Sequence, residues 1–159
     1  MKKIILVFFL LGLHYSISAQ QLAHNEEKLI AEVEKNYQAT VALLEEVTNI
    51  NSGSLNLEGV KAVSDVFERE FQKIGFETEW YKLPPEAKRA GHFIASRKGN
   101  SGKKVFIIGH LDTVFEKEMP FTPFTYLNDS TATGQGVNDM KGGDVMIFAS
   151  LKALYDLGM

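Results

Sequence analysis

The chain has 159 residues, a formal net charge of −3 at pH 7, no cysteine and 45% hydrophobic residues. That length suits one compact domain rather than two, and eleven Phe, five Tyr and one Trp supply enough core-forming material to exclude a disordered chain. Without cysteine there is no disulfide, thiolate zinc site, cysteine nucleophile or lipid-modified N-terminal cysteine, and the mildly acidic balance speaks against a nucleic-acid partner.

Residues 1–19 read as a secretory signal peptide: Lys2 and Lys3 precede the apolar run from Ile4 to Leu13, and small and polar residues follow to Ala19. His14, Ser16 and Ser18 interrupt the run well short of the roughly 20 apolar residues a membrane span needs. No membrane anchor is therefore expected after cleavage, and a secreted or periplasmic location is. Removing those residues leaves fifteen basic side chains against twenty acidic ones, so residues 20–159 are more acidic than the whole.

In residues 25–49, Ile30, Val33, Tyr37, Val41, Leu44 and Val47 recur at three- and four-residue steps, which predicts one amphipathic helix. After the turn-rich Asn51-Ser52-Gly53-Ser54, the same period returns at Val60, Val63, Phe67, Phe71 and Ile74, with Gly75 as the stop signal. Phe76 to Leu83 reads as a strand closed by Pro84-Pro85, and His92 to Arg97 as another. A Gly99 to Gly102 turn then leads to Val105-Phe106-Ile107-Ile108, whose lack of polar alternation predicts a strand covered on both faces. Val145, Ile147, Phe148, Leu151 and Leu154 predict a final, largely buried helix from Gly142 to Leu157. Helices alternating with strands in this order predict an α/β fold, a three-layer α/β/α sandwich on a mixed, mainly parallel sheet.

Two clusters carry the chemistry. His110 and Asp112 follow directly on the most apolar strand segment, at the strand end where ligands gather in open α/β sheets. An i, i+2 spacing in extended chain puts both side chains on one side, so the Asp112 carboxylate can reach one imidazole nitrogen and leave the other for a metal. On these residues alone a hydrogen-bonded structural histidine explains the pair equally well. The second cluster, Gly134-Gln135-Gly136-Val137-Asn138-Asp139-Met140-Lys141-Gly142-Gly143, sets an acid after tight glycine turns at the mouth of a helix. A glycine-rich turn capped by Asp139 is the alternative there. Asp144, in the first helical turn, is accounted for by the helix dipole. His92 reads as an ordinary strand residue, and Glu26-Glu27 and Glu45-Glu46 as solvated helix faces.

Taken together, His110-Leu111-Asp112-Thr113-Val114 and Gly134-x-Gly136-Val137-x-Asp139-Met140-Lys141-Gly142-Gly143, with Asn51-Ser52-Gly53-Ser54 upstream, resemble the M20 family of metallopeptidases, most closely its glutamate carboxypeptidase-like branch. The resemblance implies a zinc-peptidase-like fold with His110 and Asp139 as metal ligands, His110 on one of two zinc ions and Asp139 bridging both. It also implies Asp112 as the catalytic-site residue that orients His110. Cobalt or manganese suits the same donors. The chemistry implied is metal-assisted hydrolysis of an amide bond in small peptides or N-acyl amino acids with a free C-terminal carboxylate.

The family's adjacent glutamates, later acid and C-terminal histidine have no counterpart among the sixteen residues after Gly143. The expectation is therefore the N-terminal part of the catalytic domain of a longer secreted enzyme, inactive by itself, with homodimerisation assigned to a domain absent from this sequence. Two other readings stay open: a non-enzymatic domain that keeps the fold and binds a peptide or partner, and an aminoacylase or other deacylase of the same family.

Overall fold

The computed structural model describes residues 23–100 and 102–159. The signal-peptide reading of residues 1–19 lies outside the described residues. Three helices come first: α1 (His24–Lys35), α2 (Tyr37–Thr48) and α3 (Leu57–Lys73). They are followed by β1 (Glu77–Lys82), a short 3-10 turn (Pro85–Ala87), β2 (Gly91–Ser96), β3 (Thr125–Asn128), β4 (Thr131–Thr133) and α4 (Gly142–Asp156).

The period predicted as one helix over residues 25–49 is divided at Asn36, whose side-chain amide donates to the backbone carbonyl and the carboxylate of Glu32, both at 2.8 Å. An amide that bonds back to its own helix competes with continuation of the backbone ladder. The period over residues 57–73 gives α3 as expected. The Asn56 side chain accepts from the Gly59 amide at its start, and Gly75 stands in the left-handed region at φ +74° beyond its end.

The core follows from the predicted stripes. Leu43 and Val47 of α2, Val63, Val66, Phe67 and Phe71 of α3, Ile74, and Val145 and Phe148 of α4 form one buried cluster. β1 and β2 pair antiparallel, from Glu77 opposite Ser96 to Lys82 opposite Gly91. Their inner face lies against this cluster through Phe93 and Ala95, while His92, Ile94 and Ser96 face outward. Phe71 sits at the centre, its ring 5.2 Å from Phe76, 5.9 Å from Phe93 and 5.4 Å from Phe148, near the edge-to-face geometry that aromatic quadrupoles favour.

The architecture is mixed α/β, compatible with an incomplete α/β domain. Among the described residues the sheet is not one mainly parallel layer: it comprises two separate antiparallel pairs, β1–β2 and β3–β4, and one parallel bridge between Gly53 and Thr113. Residues 105–108, predicted as a strand covered on both faces, do not form one. The segment joins no ladder, and Val105, Phe106 and Ile108 are 80%, 87% and 74% exposed. An all-apolar run states that both faces want cover, but the covering layers and the neighbouring strands must come from elsewhere, and no described element supplies them. The β3–β4 hairpin closes on an Asn128-Asp129-Ser130 turn whose Asn128 side chain accepts from the Ser130 amide, and its short polar strands carry little apolar pattern. Among the described residues no helix is long and apolar enough to cross a membrane.

Candidate metal centre

Three loops meet at the predicted site: residues 49–56 between α2 and α3, residues 109–116 after the exposed apolar segment, and residues 134–141 before α4. The first loop organises the other two. The Thr113 amide donates to the Ser52 carbonyl at 2.8 Å and the Ser54 amide to the Thr113 carbonyl at 3.0 Å, which makes the parallel bridge. The Asn51 side-chain amide donates to the Phe115 carbonyl at 3.0 Å and to the Gln135 side-chain oxygen at 3.2 Å, so one residue touches both of the other loops. Gln135, almost wholly buried, donates in turn to the Pro120 carbonyl at 2.9 Å.

The third loop turns sharply because Gly136 adopts φ +74°, where a Cβ would also run into the Thr113 side chain. Lys141 ends the turn. It is fully buried, and its ammonium donates to the Ile50 carbonyl at 2.6 Å, which ties the loop to the end of α2. Burial pushes the Lys141 amine down to about 8, since a low-dielectric site disfavours the charged form.

At the meeting point, His110 Nε2 stands 3.1 Å from Asp139 Oδ1, and His110 Nδ1 stands 3.0 Å from the Asp112 backbone carbonyl. The Asp112 carboxylate is 3.4 Å from Nδ1 and receives the Ser54 hydroxyl on its other oxygen. Thus all three sequence-designated residues come together, but the backbone of Asp112 makes the closest contact to the ring, where the spacing argument had the side chain making it. Burial by itself would push the imidazole down; the hydrogen bonds to the Asp112 carbonyl and Asp139, with the charges of both acids, outweigh it and raise the His110 pKa above its ordinary value.

Both ring nitrogens therefore face oxygens. A doubly protonated ring satisfies both contacts, and so does a cation standing between Nε2 and Asp139. The donor chemistry suits a divalent ion: an imidazole and a carboxylate, with a hydrogen-bonded nitrogen behind the imidazole. Two ligands of one tetrahedral zinc stand roughly 3.3 Å apart when each is about 2.0 Å from the metal, close to the observed 3.1 Å. The set is a pair, since among the described residues no three His, Asp or Glu side chains gather closely enough to enclose a metal ion.

Asp144 is the neighbour that the residue pattern undervalued. It is 7% exposed, its Oδ2 meets no hydrogen-bond partner among the described residues, and its carboxylate lies where a Cβ on Gly109 would be. Burial pushes this carboxyl up to about 7, with the nearby His110 charge opposing. Its place in the first turn of α4 signalled a dipole partner, and nothing local signalled that the turn would be pressed against Gly109. The paired glutamates Glu26-Glu27 and Glu45-Glu46 are solvent-exposed, as the helix pattern predicts.

No known family profile matches the chain. It is 29% identical over 150 residues to carboxypeptidase G2 of Pseudomonas sp. (strain RS-16). The match takes in 90% of this chain and 34% of that protein, so the chain spans about a third of its relative's length. A continuous stretch of that size necessarily includes residues 110–139. The similarity to a carboxypeptidase is in line with the metallopeptidase resemblance of the motifs.

Proposed function

We propose that this chain is the N-terminal part of a secreted, zinc-dependent exopeptidase that releases a C-terminal amino acid from small peptides or N-acyl amino acids. The observation that carries the reading is the 3.1 Å approach of His110 Nε2 to Asp139 Oδ1, with the far ring nitrogen held by Asp112. Similarity to a carboxypeptidase supports the substrate class, and the export-signal pattern of residues 1–19 supports the location.

In this reading His110 and Asp139 hold the metal. The Asp112 carbonyl fixes the proton of His110 on Nδ1, which keeps the Nε2 lone pair available. Gly136 and Lys141 hold the turn that delivers Asp139, the glycine by its left-handed backbone and the lysine through the Ile50 carbonyl. A bound zinc ion supplies Lewis-acid polarisation of a carbonyl and lowers the pKa of water. Two protein ligands are fewer than the three that a catalytic zinc usually takes from its protein. The chain alone is therefore expected to bind zinc weakly and to hydrolyse nothing.

Titration of the metal-free chain with Co²⁺, followed by visible absorption and by zinc competition, tests this. Binding should be weak in the wild type and lost in both His110→Ala and Asp139→Asn. Metal binding indifferent to those substitutions overturns the site assignment, and robust zinc-dependent release of a C-terminal amino acid by the purified chain overturns the inactivity.

A further inference from the structure

We propose that Ser54 is a positioning residue for His110, acting through Asp112; the inference rests on the metal-site reading above and extends it to the 52–54 loop. Ser54 uses both its polar groups on the loop that carries His110 and Asp112: its amide donates to the Thr113 carbonyl at 3.0 Å and its hydroxyl donates to Asp112 Oδ2. The hydroxyl also lies 3.3 Å from the Thr113 carbonyl. With Oδ2 occupied, Oδ1 is the carboxylate oxygen left facing His110 Nδ1, at 3.4 Å.

The backbone acts in the same direction. The Asp112 carbonyl and the Thr113 amide belong to one planar trans peptide, in which N–H and C=O point opposite ways. Because the Thr113 amide is held on the Ser52 carbonyl at 2.8 Å, the Asp112 carbonyl is held pointing away from that loop, towards His110 Nδ1 at 3.0 Å. Ser52 therefore fixes the carbonyl through the peptide plane, and Ser54 fixes the carboxylate through its hydroxyl. The whole device has little freedom to drift, since Thr113 is buried and Gly53 packs without room for a Cβ against the backbone of Glu116 and Phe115. A ring held from behind keeps one tautomer and one orientation. Groups bonded directly to a metal-bound histidine, as Asp112 is to His110, typically contribute about 10- to 100-fold to metal affinity, and Ser54 acts through that group.

The experiment uses the full chain as wild type, Ser54→Ala, Ser54→Thr and His110→Ala. Cobalt affinity is measured together with the ¹⁵N shifts of the His110 ring in the metal-free protein at alkaline pH, where the ring is neutral. Ser54→Ala should weaken cobalt binding by up to about 10-fold and shift the ring from the Nδ1–H form towards a mixture of tautomers. Ser54→Thr, which keeps the hydroxyl, should restore both. If His110→Ala abolishes binding while Ser54→Ala leaves affinity and ring shifts unchanged, the role of Ser54 is overturned and the metal site stands. If cobalt binding is absent or ignores His110→Ala, the metal reading fails; the ring shifts alone then decide, with unchanged tautomers in Ser54→Ala overturning the positioning role. Should Ser54→Ala fail to fold by circular dichroism, Asp112→Ala, which leaves the Ser54 hydroxyl no acceptor on that side chain, breaks the same link from its other end, and an unaltered ring in that variant overturns the proposal equally.

Discussion

Replacing Asp144 by Asn gives the sharpest test of how the site is packed. Asp144 is 7% exposed with one carboxylate oxygen unpartnered among the described residues, and burial raises its carboxyl from 3.8 to about 7. A difference of that size between folded and unfolded chain corresponds to roughly 4 kcal/mol, at about 1.4 kcal/mol per pH unit. The N-terminus of α4 favours a carboxylate by at most about 2 kcal/mol in a buried setting, so burial still wins by roughly 2 kcal/mol or more. The folded chain holds a proton that the unfolded chain has already released, so this group's contribution falls as pH rises from about 4 to about 7 and is level above that. An asparagine has no charge to desolvate and loses this dependence. Urea unfolding followed by far-UV circular dichroism should therefore show the advantage of Asp144→Asn over wild type growing by roughly 2 to 3 kcal/mol between about pH 5 and about pH 8. A difference that stays constant across that range would refute the claim that Asp144 is buried without a partner.

Lys141→Met should shift the pH dependence in the opposite window: the folded-state amine titrates near 8 and the unfolded one at 10.5, so wild-type stability rises with pH between those values. Near pH 7 the variant gains roughly 3 kcal/mol from the removed desolvation and loses about 1 to 3 kcal/mol on the stranded Ile50 carbonyl, which leaves it near wild type. Its standing relative to wild type should worsen by roughly 3 kcal/mol by about pH 10, as read by chemical denaturation. Phe71→Ala, which empties the point where Phe76, Phe93 and Phe148 converge, should cost about 3 to 5 kcal/mol in the same assay. Gly109→Ala places a methyl group on the Asp144 carboxylate and should destabilise by about 1 to 3 kcal/mol. Combining it with Asp144→Ala should recover most of that loss, and strict additivity of the two substitutions would show that they do not touch.

The apolar stripes were legible because a stripe is a local property. Val63, Phe67 and Phe71 mark the inner face of α3 by spacing alone, and Gly75 marks its end because few other residues accept φ +74°. The alternation in β2 likewise sorts Phe93 and Ala95 inward from His92 and Ile94 outward. The run at residues 105–108 failed for the complementary reason. Its pattern specifies what the side chains need, which is cover on both faces, and cannot specify whether anything is there to provide it. Asn36 was missed because its helix-breaking hydrogen bonds depend on one amide folding back on Glu32, a choice of rotamer that hydrophobic period does not record.

The proposed site was legible in the two residues assigned to the metal and illegible in their supports. His110 and Asp139 could be picked out because metal chemistry restricts the residue types and because each lies in a local motif. Their supports come from segments far away in sequence: Ser54 reaches Asp112 across 58 positions, Asn51 reaches Gln135 across 84, and Lys141 reaches Ile50 across 91. Serine, asparagine and a lone lysine are ordinary loop residues at those positions, and only the meeting of the three loops turns them into anchors. The approach of Gly109 likewise buries Asp144, whose place in the first turn of a helix would otherwise leave it solvated. A residue's distance in sequence from the ligand it supports therefore sets what can be read in advance: i, i+2 logic reached Asp112, although through the wrong group, and no local rule reaches Ser54. The peptide plane between Asp112 and Thr113 explains that error, because the hydrogen bond to Ser52 decides which way the Asp112 carbonyl points, and with it which oxygen meets His110 first.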